Sequence, residues 1–459
     1  MDSKNLRRSN DLTTGNLLKH LKNIAIPASI GYLFNTLFNV IDTFYAGKLS
    51  TEALSGLTVS FPIFFIIIAL SVGIGRGATA LMSIALGQKN NKDFNTYAYN
   101  AFAIGIVASI ILIASSGFIV PVLFDLTGST GEAKNLGVMY TETIFYGAIF
   151  FIFNYIFNAI LTAQGNTKPF RNFLVLGFFL NVLLDPILIF GWFGIPKLGT
   201  TGIALATVII QGVGTVYLYN KAIKSEAFKL EPFKMSCIQL KKIKELLEQS
   251  IPATLSMSTI ALGTFVINYF VLEFSGDSTI AGYGVGVRVE QLVLLPALGI
   301  NVAVLSIVGQ NYGGRNFNRI KNVSGLAKKI SVSLVSVGGV LIYFLAPVIV
   351  KLFNPNPDVI AAGSTYLRIE ILTLPAYALI NIVIASMQGI KKPNIAVYIG
   401  FYRQVLMPLL IFNLFGKVLG LEVLGIWWGI VIINWSAALI LIAYEKFRFK
   451  NLDKKNSNG

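Results

Sequence analysis

The sequence predicts an all-α integral membrane protein, with twelve transmembrane helices in two six-helix lobes related by a parallel internal repeat. Three observations carry this. Hydrophobic residues make up 54% of the 459-residue chain and charged residues 13%, whereas soluble domains carry about 25% charged residues. The mean hydropathy is +0.70. Apolar runs of about 20 residues, the length that crosses a bilayer as a helix, recur along the whole chain. Motifs of the first half return in the second half in the same order, a known transporter design in which the substrate site lies between the repeats.

Taken in order, residues 1–13 are polar and expected to be mobile. Residues 14–22 read as a short interfacial helix with Leu17, Leu18 and Leu21 on one side. Residues 1–22 lack the apolar core of a cleavable signal peptide, so the first span is expected to act as the insertion signal. With residue 23 they form an N-terminal segment, 1–23. The N-lobe, 24–220, holds spans at about 24–47, 53–86, 94–120, 132–162, 169–191 and 200–220. A strongly basic linker, 221–245, runs from Lys221 past Lys244. The C-lobe, 246–445, holds spans at about 246–272, 280–308, 322–348, 358–387, 394–414 and 423–445. A tail, 446–459, ends the chain.

The repeat is read from paired motifs. IPASIGYLFNTLFNVIDTF from Ile26 pairs with IPATLSMSTIALGTFVINYF from Ile251. Leu86-Gly-Gln88 pairs with Val308-Gly-Gln310, and Ala163-Gln-Gly with Met387-Gln-Gly. Asp185-Pro-Ile-Leu-Ile-Phe190 pairs with Met407-Pro-Leu-Leu-Ile-Phe412. Each unit has an even number of spans, so the halves share one orientation. The pairing also exposes an asymmetry: where the first half has Asp42 and Asp185, the second has Ile267 and Met407.

The formal charge of +16 is distributed as a membrane protein distributes it. The termini and alternate loops hold most of the Lys and Arg, while the opposite side keeps Lys48, Lys197, Lys351 and Lys417. That bias predicts a multi-pass cell-membrane protein with both termini cytoplasmic. No soluble basic domain exists to bind nucleic acid. A single cysteine, Cys237, excludes an intramolecular disulfide, and a single histidine, His20, leaves no zinc cluster. No cofactor is expected. A membrane enzyme is disfavoured because no nucleophile-base constellation is visible.

Asn35, Asn39 and Asp42 are spaced i, i+4, i+7 and form one polar stripe on the first helix. Asn181 and Asp185 share a face of the fifth span, and Pro186 frees the carbonyl of Val182. A carboxylate on a membrane-length helix is costly and usually functional. Two of them, with amide oxygens and a freed carbonyl, suit a proton or a hard cation such as Na+. Two nearby carboxylates in an apolar setting also favour a shared proton. The plainer reading is that Asp185 only bonds a neighbouring helix. Asn154, Asn158 and Thr162, extended by Tyr146, form a second stripe that suits either a cavity wall or interhelical hydrogen bonding. Other charges in the spans are Arg76, Glu142, Arg288, Glu290, Arg368, Glu370 and Arg403. Structural pairing is expected of most, with Arg288 and Glu290 the C-lobe candidates because Gly282, Gly284 and Gly286 precede them. Val72-Gly-Ile-Gly-Arg-Gly77 looks like a phosphate loop but lacks its βαβ context, so close helix crossing is the better account.

With these motifs in place, the chain resembles the multidrug and toxic compound extrusion (MATE) family, with its MATE/MOP-type fold, over about residues 15–445. The resemblance rests on the two-lobe plan, Asp42-Thr-Phe-Tyr-Ala-Gly47, the Gly-Gln turns and Asn181-Val-Leu-Leu-Asp-Pro186. It implies a monomeric antiporter in the lipid bilayer that exports amphipathic or cationic drugs against inward H+ or Na+. It is closest to the DinF-type branch, which implies coupling residues Asp42, Asn181, Asp185 and Thr207. Asn154 and Asn158 match cavity positions, and Phe38 stands where relatives can carry tyrosine. Residues 251–272 hold no Asp or Glu, so a C-lobe cation site of the NorM type is not expected. The runner-up is a lipid-linked oligosaccharide flippase of the same superfamily, which would need a strongly basic cavity.

Overall fold

The computed structural model describes residues 11–229 and 238–457, with side chains up to residue 452. Residues 1–10 and the middle of the linker, with Lys234 and Cys237, lie outside the described residues. The described chain is helical, with no strand. Helices α1 (Leu17–Leu49), α2 (Thr51–Gly87), α3 (Asn91–Leu126), α4 (Gly131–Tyr146), α5 (Ala148–Ala163), α6 (Lys168–Phe190) and α7 (Thr200–Ile223) precede the linker. Helices α8 (Leu240–Phe274), α9 (Asp277–Gly313), α10 (Phe317–Phe353), α11 (Pro357–Glu370), α12 (Leu374–Gly389), α13 (Asn394–Val418) and α14 (Glu422–Ser457) follow it. Ten of these are long and apolar enough to cross a membrane. The bent pairs α4/α5 and α11/α12 bring the number to twelve if each pair is one span.

The expected single helices at 132–162 and 358–387 are therefore broken. Between α4 and α5 the axis turns by 47° at Gly147, and between α11 and α12 by 52°. Pro375, in the first turn of α12, has no N–H to offer the carbonyl four residues back, which loosens the second junction. At the first there is no proline. A side chain on Gly147 would meet Val208 of α7 at 2.5 Å, so the glycine admits close approach of α7.

The expected interfacial helix at 14–22 is instead the first part of α1, which runs without a break from Leu17. Nor is the whole of 1–13 loose: Leu12 is fully buried. Elsewhere the helices outrun their predicted spans. Helices α2, α9 and α10 have 37 residues each, about 55 Å at 1.5 Å per residue, against a hydrocarbon core of about 30 Å. Their ends are set by local chemistry. The Ser50 hydroxyl accepts from the Ala53 N–H at the start of α2, and Asn90 caps α3 through the Asp93 N–H.

The chain forms two compact units. One comprises Ile30–Thr254; the other comprises Leu12–Ser29 together with the residues from Leu255 onward. The units thus depart from the chain halves at two places: α1 changes unit after Ser29, and α8 after Thr254. In the first unit α2 packs against α3, α4 and α5, and α7 against α4, α5 and α6. In the second, α9 packs against α10, α11 and α12.

The glycine-rich stretch of α2 acts as a helix crossing. A Cβ on Gly73 would fall 1.9 Å from the Thr254 hydroxyl, and one on Gly77 2.3 Å from that of Ser250. Both glycines let the N-terminal half of α8 lie directly on α2. Replacing Gly73 by valine is therefore expected to cost about 1–3 kcal/mol of stability through overpacking. Thermal unfolding in detergent checks this, and an unchanged melting temperature would remove the crossing from the account.

Candidate functional site

The first unit holds a buried polar cluster built from α1, α6 and α7. Asp42 of α1 is 6% exposed, and Asn181 and Asp185 of α6 are fully buried. The i, i+4 spacing places both α6 residues on the face toward α1. The Asn181 amide donates to Asp42 Oδ1 at 2.8 Å. The Thr207 hydroxyl of α7 points at Asp42 Oδ2 at 3.4 Å and also at the Ile203 carbonyl of its own helix at 3.2 Å. Helix α7 can come this close because Gly202, near its start, lies on the backbone of α6. A Cβ there would stand 2.8 Å from the Leu188 carbonyl.

Asp185 is supplied differently. Neither of its oxygens accepts a hydrogen bond of good geometry, and the Asn181 Oδ1 atom is likewise buried without a donor. Its neighbours are the Asp42 carboxyl and the Asn181 amide. Buried oxygens without well-aligned donors are expensive unless a proton, a cation or a further donor serves them. Pro186 frees the Val182 carbonyl as expected, and the Tyr45 hydroxyl of α1 points at it at 3.4 Å. Tyr140 of α4, 6% exposed, lies within electrostatic reach of both carboxyls. Neither tyrosine stood out in the sequence, where each is one aromatic among many.

The other candidates divide. Asn35 and Asn39 are exposed and do not join Asp42, so the stripe on α1 is polar along its length but buried only at its end. Phe38 is half-buried at the edge of the core of the first unit. Tyr146, the last residue of α4, is exposed. Asn158 accepts from the Thr162 hydroxyl at 3.0 Å. Asn154 is 1% exposed. Its amide donates to the Gln211 side chain at 2.7 Å and to the Gln211 carbonyl at 3.0 Å. Of the two readings of that stripe, Asn154 follows interhelical bonding; Gln211 gave no sequence signal beyond being polar in a span.

The second unit contains a cluster that sequence spacing understated. The Tyr366 hydroxyl of α11 donates to Glu290 of α9 at 3.0 Å. Gly286 makes room, since a Cβ there would lie 2.2 Å from the Tyr366 ring. Glu370, at the end of α11, is 2% exposed; the Tyr377 and Thr373 side chains lie beside its carboxyl, without a hydrogen bond of good geometry. Arg403 of α13 lies within electrostatic reach of both glutamates, sits over the Tyr377 ring and donates to Asn434 at 3.1 Å. It stands in a π-helical stretch, Tyr402–Leu406, a distortion common at functional sites. Arg288 is exposed and takes no part. The lack of an acid on the first helix of this half thus does not leave the unit without buried carboxylates.

Two all-helical units with carboxylates sealed inside membrane-length helices define a polytopic membrane transporter rather than an enzyme. The MatE family model matches residues 27–187 and again 252–412. The chain belongs to the MatE family, and the double match follows the internal repeat. It is similar to a probable multidrug resistance protein NorM of Thermotoga maritima, 28% identical over 355 residues, 76% of this chain and 75% of that one. It is also similar to an FAD transporter of Shewanella oneidensis, 26% identical over 399 residues, 85% of this chain and 86% of that one. Its fold is that of an outward-facing multidrug resistance MATE family transporter of the MOP superfamily. That structure matches with a TM-score of 0.90 at 25% identity, covering 97% of this chain and 99% of that one.

The Asn154 reading leads to a direct expectation. Asn154→Leu removes the tie to Gln211 and leaves that half-buried amide unpaired, which costs about 1 kcal/mol. Thermal unfolding should show that loss while any gradient-driven transport persists; lost transport in a protein of wild-type stability would return Asn154 to the cavity wall.

Proposed function

We propose that this transporter is a secondary active exporter, in which amphipathic or cationic compounds leave in exchange for inward H+ or Na+ coupled at Asp42 and Asp185. The same reading puts the chain in the cell membrane as a monomer with cytoplasmic termini. The observation that carries it is the unequal supply of donors at the carboxyl pair. Asp42 has the Asn181 amide at 2.8 Å and faces the Thr207 hydroxyl, whereas Asp185 accepts no hydrogen bond of good geometry and has only the Asp42 carboxyl and the Asn181 amide beside it.

With a proton on Asp185, its hydroxyl has the Asp42 carboxyl beside it as an acceptor. Removing that proton leaves two carboxylates side by side in an apolar site, where repulsion and lost hydration loosen α1 from α6. Na+ would serve the same purpose with the two carboxyls, the free Asn181 oxygen and the Thr207 hydroxyl as hard oxygen ligands. Either way, loading draws α1 toward α6 and α7, and unloading releases it. A ligand shifts such an equilibrium only through different affinity for the two arrangements, and here the difference is whether α1 completes the site. The FAD-transporting relative supports a second cargo reading, a flavin nucleotide whose planar ring and charged phosphates make it amphipathic in a different sense.

In proteoliposomes, wild type is expected to expel a fluorescent lipophilic cation under an imposed proton or sodium gradient, one of which should dominate. Asp42→Asn and Asp185→Asn should each lower the rate at least tenfold while leaving folded protein in the vesicle. Counterflow of FAD in the same vesicles tests the second cargo. No transport of cation or flavin under either gradient would overturn the exporter reading and turn attention to lipid-linked sugars.

A further inference from the structure

Helix α1 belongs to both units: its residues up to Ser29 count with the second and those from Ile30 with the first. Asp42 lies in the later part. The earlier part is held by an unusual device just ahead of the helix. Leu12 is fully buried, and both of its backbone polar groups are taken by side chains of the second unit. Its N–H donates to Gln310 Oε1 at 3.0 Å, and its carbonyl accepts from the Asn311 amide at 3.0 Å and from Arg319 Nε at 3.3 Å. The other end of the Arg319 guanidinium donates to the Thr14 carbonyl at 2.6 Å, and the His20 ring pairs with that same carbonyl at 2.8 Å. Four side chains thus grip two residues of the turn that precedes α1.

The grip continues up the helix. A Cβ on Gly299 of α9 would fall 2.5 Å from the Ala25 carbonyl and 2.1 Å from the Ser29 hydroxyl, so α9 lies directly against this half of α1. Pro27 then interrupts the hydrogen-bond ladder by leaving the carbonyl of Asn23 without its usual donor.

The first unit repeats the arrangement on α8, the opening helix of the second half. The Asn95 side chain accepts from the Lys229 N–H at 2.8 Å and donates to the Ala227 carbonyl at 3.1 Å. Asn100 accepts from the Gln239 N–H at 2.9 Å, and Tyr97 bonds Glu245 at 2.5 Å. The backbone ahead of a swapped helix is therefore gripped by polar side chains in both units, which argues for a built feature rather than chance packing.

We propose that residues 12–16 are a clasp that pins the N-terminal half of α1 in the second unit throughout the transport cycle. This rests on the coupling role of Asp42. A helix pinned at one end and pulled at the other, with a proline between, must bend at the proline. The same helix without the pin slides as a rod and dissipates the pull. The clasp residues are positioning residues, with no contact to the coupling pair.

The test compares wild type, Leu12→Asp, Leu12→Ile, Arg319→Gln and Asp42→Asn in proteoliposomes under the effective gradient. Leu12→Asp and Arg319→Gln are expected to slow efflux at least tenfold while the affinity for a fluorescent lipophilic cation changes less than twofold. Leu12→Ile should restore the wild-type rate. Where Leu12→Asp does not accumulate as folded protein, Arg319→Gln, which alters only a half-buried side chain, decides. Wild-type efflux from a folded clasp variant overturns the clasp but leaves the exporter standing; no gradient-driven efflux from wild type overturns both. With Cys237→Ser as background, Leu12→Cys should resist a maleimide equally with and without the gradient. Labelling that rises under the gradient overturns a permanently seated clasp.

Discussion

Everything in the first unit answers to the cost of keeping two carboxyls away from water. An isolated charge buried in an apolar interior is penalised by several kcal/mol, so the helices around Asp42 and Asp185 must supply donors or a counter-charge. They supply an incomplete answer: Asn181 and Thr207 face Asp42, and Asp185 accepts no hydrogen bond of good geometry. In the proposed exporter, that incompleteness is what lets the site respond to an ion. A fully satisfied site would be a structural tie with no reason to release α1. The fold serves this by bringing α7 onto α6 at Gly202 and by keeping Asp42 on a helix whose two ends are held by different units.

The sequence exposed the core of this site because acids are rare in such a chain. Asp42, Asn181 and Asp185 stood out through spacing and the expense of intramembrane charge. Thr207 came only from resemblance, since a threonine in an apolar helix has many uses. Tyr140 and Gln211 were invisible because a tyrosine or glutamine says nothing until its neighbour is known. Glu290, Glu370 and Arg403 were each visible, but their meeting required three helices far apart in the chain to converge. The positions of the spans were legible, though many helices run past them, while the breaks at Gly147 and before Pro375 were not. A continuous apolar run conceals a bend when the cause is a neighbouring helix. The continuity of α1 did have a signal: no glycine or proline lies between Asn16 and Pro27.

The two units solve the same burial problem with different means. In the first, the proposed coupling makes the counter-charge a mobile ion. In the second, Arg403 is fixed in the chain, held by Asn434 and the Tyr377 ring, near two glutamates. One arginine balances one carboxylate, and Glu370 has the Tyr377 and Thr373 side chains beside it. The second unit therefore places a cation beside its carboxyls, where the first places amide and hydroxyl donors. This is the physical content of the asymmetry that the repeat displayed, where Asp42 and Asp185 face Ile267 and Met407.

The adjacency of Asp42 and Asp185 has an electrical consequence. A pair of carboxyls stores either one positive charge or two. If one enters as a singly charged compound leaves, no net charge crosses the bilayer, and the resting voltage neither helps nor hinders. If two enter, each cycle carries one elementary charge inward, and the membrane potential adds about 2.3 kcal/mol per 100 mV to the driving force. The number of charges held by one small site would then decide whether export draws on voltage or on the concentration gradient alone.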